Sequence, residues 1–356
     1  MSYISDLILC PDLQDRLNGY FGCDKATMLA VHETGLAQFL FSPINTNNKL
    51  RQVVAPGNGK LRSVDLIYSP RIPVGDVSTS INRESCVSVT PRGELSKNYT
   101  LDTNTGVEIE WKIRAEDLKQ HCQDNQDYFN QEMLRSMSAL TRRMDAILAA
   151  QVFLLRGKFG KDEENVNGTN DIKTVVTRRS TVLGGGLSDD FITEIDYATM
   201  NAGYCDKPFI FGFGEIYKSF TKLQAACCAD NGMNVALLAQ AVGVYGSFIP
   251  DSNVKPVLGA NGDFLTLDPG AVQVLTYNAF QGYGLEIDQP TFMQKVVVDP
   301  RTGIPYDLQV KFDCGFWHFR LSVAFKAVGV PTDEFFIGDR FYGTTGVNEF
   351  KITNPA

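Results

Sequence analysis

Residues 107–118 read VEIEWKIRAEDL, and the change of pattern inside this stretch decides the fold. In its first half apolar and charged residues alternate, which is typical of a strand with one buried face. The apolar positions are Val107, Ile109, Trp111 and Ile113. Directly afterwards the apolar spacing becomes helical, with no Gly or Pro at the change. The sequence therefore predicts a strand that runs straight into a helix.

The predicted helix spans residues 114–156, which contain no Gly or Pro although the chain has 31 Gly and 15 Pro. Glu116 and Asp117 suit the positive end of a helix, and Gly157 offers a stop. Fully helical, the segment would be ~65 Å long, more than the ~40–45 Å width of a compact chain of this length. A coiled coil is the alternative, although the apolar stripe is rich in Met and keeps no heptad. The stripe comprises Leu118, Cys122, Phe129, Met133, Met137, Leu140, Met144 and Leu148. The predicted polar face comprises Lys119, Asp124, Asp127, Gln131, Arg135, Arg142 and Asp145.

Composition is that of a folded globular protein, since 44% of the 356 residues are hydrophobic and 21% are charged. The formal net charge of −8 argues against a protein that grips nucleic acid through a basic surface. No segment approaches the ~20 unbroken apolar residues of a membrane span. The N-terminal stretch MSYISDLILCPDLQ has no basic flank, so we expect no signal peptide and a cytoplasmic location.

No motif in the chain predicts an enzyme. The eight Cys form no CxxC pair and only three His occur, so we expect neither a zinc site nor a catalytic triad, and mostly buried, reduced thiols. The glycine-rich residues 183–188 lack the Gly-Lys-Ser/Thr ending of a phosphate loop, and Asp189 and Asp190 follow them. Residues 212–218 lack dinucleotide-binding spacing, and residues 102–106 place Gly one position too early for a calcium loop. We therefore expect no catalytic, cofactor-binding or metal-binding residues.

The first third of the chain predicts an arm followed by an extended excursion. Residues 1–50 predict an irregular arm with one short helix near Asp24–His32, and Gly22, Gly35 and Pro43 interrupt this arm. Residues 51–106 are polar and rich in Gly and Pro, and Gly57–Gly59 suits a tight hairpin turn. Short apolar bursts predict strands with little core of their own. The bursts comprise Val64, Leu66 and Tyr68, then Val87 and Val89, then Tyr99 and Leu101.

The rest of the chain predicts a small α/β region and a β meander. Residues 208–290 combine strands near 208–214, 264–267 and 272–277 with helices near 216–227 and 234–241, and a further helix is predicted near 188–203. After residue 291 the pattern becomes alternating, with turns at 299–303 and at Cys314-Gly315. His318 falls on the polar face of the last strand. The apolar face comprises Leu308, Val310, Phe312, Trp317, Phe319, Leu321, Val323 and Phe325.

This order of elements resembles the major capsid proteins of tailed bacteriophages. Three short sequence segments are similar as well, namely PFIFG (208–212), LDPGAV (267–272) and VDPRTGIPY (298–306). The resemblance covers almost the whole chain and implies an α+β fold with five parts. These would be an N-terminal arm (1–50), an extended loop (51–106), a peripheral domain (107–207) with a spine helix (114–156), an axial domain (208–290) and a C-terminal meander (291–356) in either domain.

The resemblance implies a structural subunit that self-assembles, as hexamers and pentamers, into the icosahedral shell of a tailed phage. Such a shell is built in the host cytoplasm, holds double-stranded DNA by enclosure only and involves no membrane. Portal, scaffold or decoration proteins would be further partners. The implied contact between subunits is the tip of the extended loop, Gly57, Asn58, Gly59, Lys60 and Leu61. Because the loop has little apolar content, we expect its order to come from a neighbouring subunit.

Two other functions remain open from the sequence. An encapsulin-type bacterial compartment shares the implied fold and would enclose protein instead of DNA. An unrelated cytoplasmic enzyme would be a small oligomer that a ligand stabilises. Some capsid relatives join neighbouring subunits by a Lys–Asn isopeptide bond. Lys60 and Asn348 are of suitable types, but no motif in the chain specifies the bond.

Overall fold

The computed structural model describes residues 31–45, 51–55, 61–68, 95–102, 104–116, 122–156, 175–178, 208–214, 248–258, 263–278, 287–289, 291–329 and 346–353. They form a mixed helix-and-sheet fold, as the sequence predicts. The helices are α1 (Val31–Phe41), α2 (Cys122–Leu154) and α3 (Val254–Leu258), and a 3₁₀ turn (Pro43–Asn45) follows α1. The strands are β1 (Arg51–Ala55), β2 (Leu61–Tyr68), β3 (Leu95–Asp102), β4 (Gly106–Arg114), β5 (Val175–Arg178), β6 (Phe209–Gly212), β7 (Phe248–Pro250), β8 (Phe264–Leu267), β9 (Val272–Tyr277), β10 (Ile287–Gln289), β11 (Phe292–Val298), β12 (Pro305–Asp313), β13 (Phe316–Gly329) and β14 (Val347–Thr353).

The strands form three sheets. The first is antiparallel with the order β1-β2-β3, and the second has the order β10-β11-β12-β13-β4 with β9 paired to the later part of β13. The third has the order β5-β14-β8-β6-β7 and is mixed, because β5–β14 and β6–β7 are parallel pairs. These sheets combine strands from different predicted domains, since β9 joins the meander and β14 joins β8. The assignment of the sheets to peripheral and axial domains stays a prediction.

Strand β4 confirms the alternation of the stretch that decides the fold. Val107 and Ile113 are buried, whereas Glu108, Glu110 and Lys112 are exposed. The strand pairs antiparallel with β13 along its whole length. Its apolar side chains belong to the main core, which also includes residues of α2.

Helix α2 covers most of the predicted helix 114–156, and residues 115–116 are helical as well. Arg114 is the last residue of β4 and pairs with Phe316, so the ladder with β13 holds the chain extended to this point. The next backbone amide, that of Ala115, donates to Gly315 O at 2.9 Å. Residues 117–121 lie outside the described residues, and α2 then runs for 33 residues, about 50 Å.

Within the described side chains, the apolar stripe of α2 is confirmed and the predicted polar face is wrong at one position; Lys119 and the side chains of Asp124 and Asp127 are not among them. Asp145 is fully buried, because α1 packs against this side of α2 and its Ala37 amide reaches the carboxylate at 2.7 Å. Leu118 and the side chain of Cys122 lie outside the described part of the chain. The buried stripe residues are Phe129, Met133, Met137, Leu140, Met144 and Leu148.

Helix α1 differs from the local prediction at Gly35. The sequence predicts a helix near Asp24–His32 and an interruption of the arm at Gly35, but Gly35 lies inside α1, and residues 24–30 lie outside the described residues. A Cβ at this position would lie 2.7 Å from Ile249 Cγ2 and 2.8 Å from Pro250 O. Glycine thus permits α1 to approach the segment 249–250 closely, and α1 contributes to the main core. Its core residues are Leu36, Ala37, Phe39 and Leu40.

The C-terminal meander matches its prediction closely. Of the eight predicted apolar-face residues, Phe312 is half-buried and the others are buried, and His318 is exposed. The turn between β11 and β12 is fixed to α2 by Arg301, whose guanidinium donates twice to the Asp299 carboxylate, at 2.9 and 2.8 Å. The same guanidinium donates to Ser138 Oγ at 2.8 Å and to Leu134 O at 3.1 Å. The meander is therefore tied to the long helix by polar contacts as well as by the core.

Strands β8 and β9 have the bounds that the sequence predicts. The helices predicted near 188–203, 216–227 and 234–241 and the burst at Val87 and Val89 lie outside the described residues. Among the helices that the structure describes, none is long and apolar enough to cross a membrane.

Candidate assembly surface

The β1–β3 sheet corresponds to the predicted extended loop. β1 and β2 form an antiparallel pair in which Ala55 lies opposite Ser63, which confirms a hairpin at this place. Leu61, the last residue of the predicted contact, begins β2 opposite Asp102. The other four tip residues, Gly57, Asn58, Gly59 and Lys60, lie outside the described residues. Their contact with a neighbouring subunit stays a prediction.

The sheet has a root inside its own chain. We use "root cluster" for the buried residues that join the β1–β3 sheet to β9 and β13, namely Val64, Leu66, Leu101, Leu275 and Val328. Full burial of such side chains stabilises a fold by roughly 1.5–3 kcal/mol each. The expectation that a neighbouring subunit orders the whole loop is therefore wrong at this root. Among the described residues, the outer edges of β1 and β3 stay open to another chain.

Polar contacts reinforce the root. Tyr99 Oη donates to Gly329 O at 2.8 Å, and burial raises the pKa of Tyr99, which keeps the phenol in its donating form. Lys326 Nζ donates to Thr100 O at 2.9 Å. The sequence reveals Tyr99 only as part of an apolar burst and gives no sign of its partner, because the two lie 230 positions apart.

Gly106 lies where β13 changes its partner from β4 to β9, opposite Ala324. A Cβ on Gly106 would lie 2.1 Å from Val323 O and 2.9 Å from Ala324 Cα. Both of these atoms are backbone atoms, so neither can move aside cheaply. The close approach therefore requires glycine at the point where the extended loop returns to the body of the protein.

Seven strands pair with a single neighbour in the part of the chain that the structure describes, and three of them, β1, β3 and β4, belong to or directly follow the predicted extended loop. There β1 and β3 each pair with β2 alone, and β4 pairs with β13 alone. An open edge presents unpaired N–H and C=O groups, which can accept a strand from another chain. These edges are the surfaces on which contact between subunits can be built.

The outer face of β4 carries ordered charges. Arg320 Nε donates to Glu108 Oε2 at 2.8 Å and lies 3.7 Å from Glu110 Oε1. At the other end of the strand, Lys112 Nζ lies 5.1 Å from the centre of the Phe316 ring, and Arg114 Cζ lies 5.7 Å from it. The strand therefore presents an acidic half and a basic half, each held in position by a side chain of β13.

A buried polar group lies between α1, α2 and the segment before α3. Asp145 accepts hydrogen bonds from Ala37 N at 2.7 Å and Asn253 Nδ2 at 2.8 Å. Asp251 accepts from Leu36 N at 2.8 Å and Asn253 N at 2.8 Å, and the two carboxyl groups are hydrogen-bonded to each other. Burial, with the charge of Asp251 second, raises the pKa of Asp145 to about 8, and burial also raises the pKa of Asp251. We interpret this carboxyl pair as a structural contact that fixes α1 to α2 and to residues 251–253.

The described His residues show no catalytic arrangement. The ring of His32 stacks on Phe213 with 5.6 Å between centroids, and His318 lies on the exposed face of β13. Within the described ranges, no group of three or more His, Cys, Asp or Glu residues is placed to hold a metal ion. His121 lies outside these ranges.

Comparison with known proteins finds no matching family model and no matching curated protein. The chain is similar to a solved structure of the cyanophage A-1(L) capsid asymmetric unit, with 11% identity over 93% of this chain and 97% of that chain and a TM-score of 0.45. It is similar to the capsid of cyanophage P-SCSP1u, with 10% identity, coverage of 87% and 90% and a TM-score of 0.40. It is also similar to the satellite phage P4 procapsid, with 10% identity, coverage of 97% and 99% and a TM-score of 0.32. These structures are phage capsids, the class of protein that the sequence resembles.

Proposed function

We propose that this chain is a structural subunit that self-assembles, as hexamers and pentamers, into the icosahedral capsid of a tailed bacteriophage. The observation that carries the proposal is the β1–β3 sheet. It is anchored in its own chain by the root cluster, and among the described residues each of its two outer strands has an open edge. Natural proteins usually cover or interrupt such edges unless another chain pairs with them.

The long helix supports the same function. A shell subunit is a thin plate that must carry force across its width, and α2 supplies 33 residues without Gly or Pro. Either residue would weaken the helix by about 1–3 kcal/mol or kink it. We propose that α2 is the spine of the peripheral domain and that residues 57–61 contact a neighbouring subunit.

The charge of the chain supports enclosure of DNA without binding. With a net charge of −8, the protein as a whole repels a polyanion, which suits a container more than a nucleic-acid-binding protein. We propose assembly in the host cytoplasm and a final location in the virion. Portal, scaffold or decoration proteins are proposed as further partners.

Sedimentation and electron microscopy of the purified full-length chain test the proposal. We expect hexamers, pentamers or closed shells. A chain that stays monomeric or dimeric at high concentration and moderate salt would overturn it. Shells from the native source that enclose protein in place of DNA would overturn the phage function and favour a bacterial compartment.

A further inference from the structure

The residues of β4 are self-complementary about Trp111. Reading outward from this centre, Glu110 is matched by Lys112, Ile109 by Ile113, and Glu108 by Arg114. Each acidic residue on one side thus corresponds to a basic residue at the same distance on the other side. All four charged residues are exposed, and the side chains of Glu108 and Glu110 are 42% and 65% accessible.

The order of the charges along β4 matters because, among the described residues, one edge of this strand is open and a second strand can pair with it. If the β4 strands of two copies lie antiparallel with Trp111 opposite Trp111, then Glu108 faces Arg114 and Glu110 faces Lys112. Each pair forms twice, because a two-fold axis relates the copies. Opposite charges at directly opposed positions of a sheet attract, and like charges repel.

The same order disfavours other pairings. A parallel alignment in register would place each charged residue opposite its own copy. A shift of two residues in the antiparallel alignment would leave a charged residue at each end without its partner. The charges therefore select one direction and one register among the pairings open to this edge.

The inner face of the strand is compatible with this pairing. Ile109 and Trp111 are only half-buried in the subunit, whereas Val107 and Ile113 are buried. In the antiparallel arrangement Ile109 lies opposite Ile113 of the second copy and Trp111 opposite its own equivalent. The apolar face thus continues across the junction, and apolar area at the edge is removed from water.

We propose that two copies of this chain join edge to edge through β4, antiparallel about a two-fold axis at Trp111, so that their two sheets become continuous. The inference deepens the proposed function and rests on it, because the partner is a second copy in a self-assembling protein. It adds the edge, the direction and the register of one contact.

Cysteine cross-linking tests the register. In Glu110→Cys/Lys112→Cys, each new Cys faces its partner in the second copy at the Cα separation of ~4.5–5.5 Å typical of opposed residues, which a disulfide can bridge. The matched control Glu108→Cys/Lys112→Cys also removes one acid and one base, but no new Cys faces another. After oxidation of the assembled protein, we expect a covalent dimer from the first variant and none above the wild-type level from the control.

Charge reversal provides a second test that requires no oxidation. Glu108→Lys/Glu110→Lys and Lys112→Glu/Arg114→Glu each make the strand like-charged toward its own copy. We expect each variant alone to lose association through this contact by about tenfold or more, and an equal mixture to regain it. Far-ultraviolet circular dichroism checks that both variants are folded.

The outcomes separate this inference from the proposed function. Shells that form normally without a register-specific cross-link, or variants that assemble alone as well as mixed, would overturn the β4 contact and leave the capsid function intact. A wild-type chain that never assembles beyond a dimer would overturn the capsid function, even if the β4 cross-link forms.

Discussion

At the scale of single residues, Asp145 makes stability depend on pH. Its pKa is raised to about 8 by burial and by Asp251, whereas the ordinary value is 3.8. The contribution of this group to stability is therefore fully present below about pH 4 and is lost as the pH rises through about 8. Nearby charged groups are engaged elsewhere, since Glu33 pairs with Arg142 at 3.3 Å and Lys255 with Asp263 at 2.7 Å.

We expect Asp145→Asn to flatten this dependence. The free energy of unfolding, measured by urea denaturation between pH 4 and pH 9, should fall less steeply in the variant than in the wild type. Asp263→Asn is the matched control, because it removes a partly exposed carboxylate from the same region. An unchanged slope in Asp145→Asn would show that the carboxyl pair does not hold the proton.

Gly106 supports a prediction at the junction of β3 and β4. In Gly106→Ala the new Cβ meets Val323 O at 2.1 Å, so the backbone of β4 or β13 must shift. We expect a loss of about 1–3 kcal/mol in the free energy of unfolding, which is typical of overpacking. Gly329→Ala is the control, because its nearest contact is Leu155 Cδ2 at 3.6 Å. Equal urea midpoints for the two variants would contradict the steric account.

The sequence predicts residue roles that depend on local spacing and misses those that depend on distant partners. The alternation in β4 and the exposure of His318 follow from a period of two. The burial of Asp145 does not, because it depends on Asp251 and on a helix more than 100 positions away. Gly35 and Gly106 resemble helix or strand breakers in sequence, since nothing local shows which backbone approaches them.

At the scale of elements, α2 is the member whose integrity can be tested most directly. Leu140 is 3% exposed and lies within the helix on its buried stripe. Leu140→Pro removes a backbone hydrogen bond, adds a clash of ~3 kcal/mol or more and deletes buried apolar area. We expect the variant to be insoluble or to melt far below the wild type.

Arg142→Ala controls for this change, because Arg142 is exposed on the opposite face of the same helical turn. We expect its melting temperature to stay close to that of the wild type. Wild-type melting and solubility in Leu140→Pro would contradict a continuous helix through this position.

Element boundaries show where sequence patterns lose precision. The bounds of β8 and β9 match their predictions because short apolar runs are flanked by turn residues. Arg114, the predicted first residue of the long helix, is instead the last residue of β4, because it pairs with Phe316 of β13. The helical spacing of apolar residues does not show where a backbone segment pairs with a neighbouring strand instead of joining the helix.

At the scale of the whole molecule, the order of elements could be predicted but the composition of the sheets could not. The sequence places β9 and the meander in separate regions and predicts no strand at the position of β14. In the structure β9 extends the sheet of the meander, and β14 lies between β5 and β8. The order of strands in a sheet depends on which strands pair with each other across the fold, and the spacing of apolar residues along the chain does not show this.

The last prediction separates folding of the subunit from its assembly. Replacing Gly57–Leu61 by a two-residue turn leaves the root cluster in place, including Val64, Leu66 and Leu101. We therefore expect a folded subunit whose melting temperature is near that of the wild type but whose shell assembly is impaired, because the lost contacts are those with neighbouring subunits.

Val64→Ala is the complementary control for the trimmed variant. It leaves the tip intact and removes buried volume from the root, so it should lower stability by roughly 1–3 kcal/mol while the tip remains available for assembly. Circular dichroism and melting report the fold of both variants, and electron microscopy reports their shells. If the trimmed protein unfolds, the tip belongs to the subunit's own core. If it forms normal shells, the tip is not an assembly contact, and the open strand edges must account for the association instead.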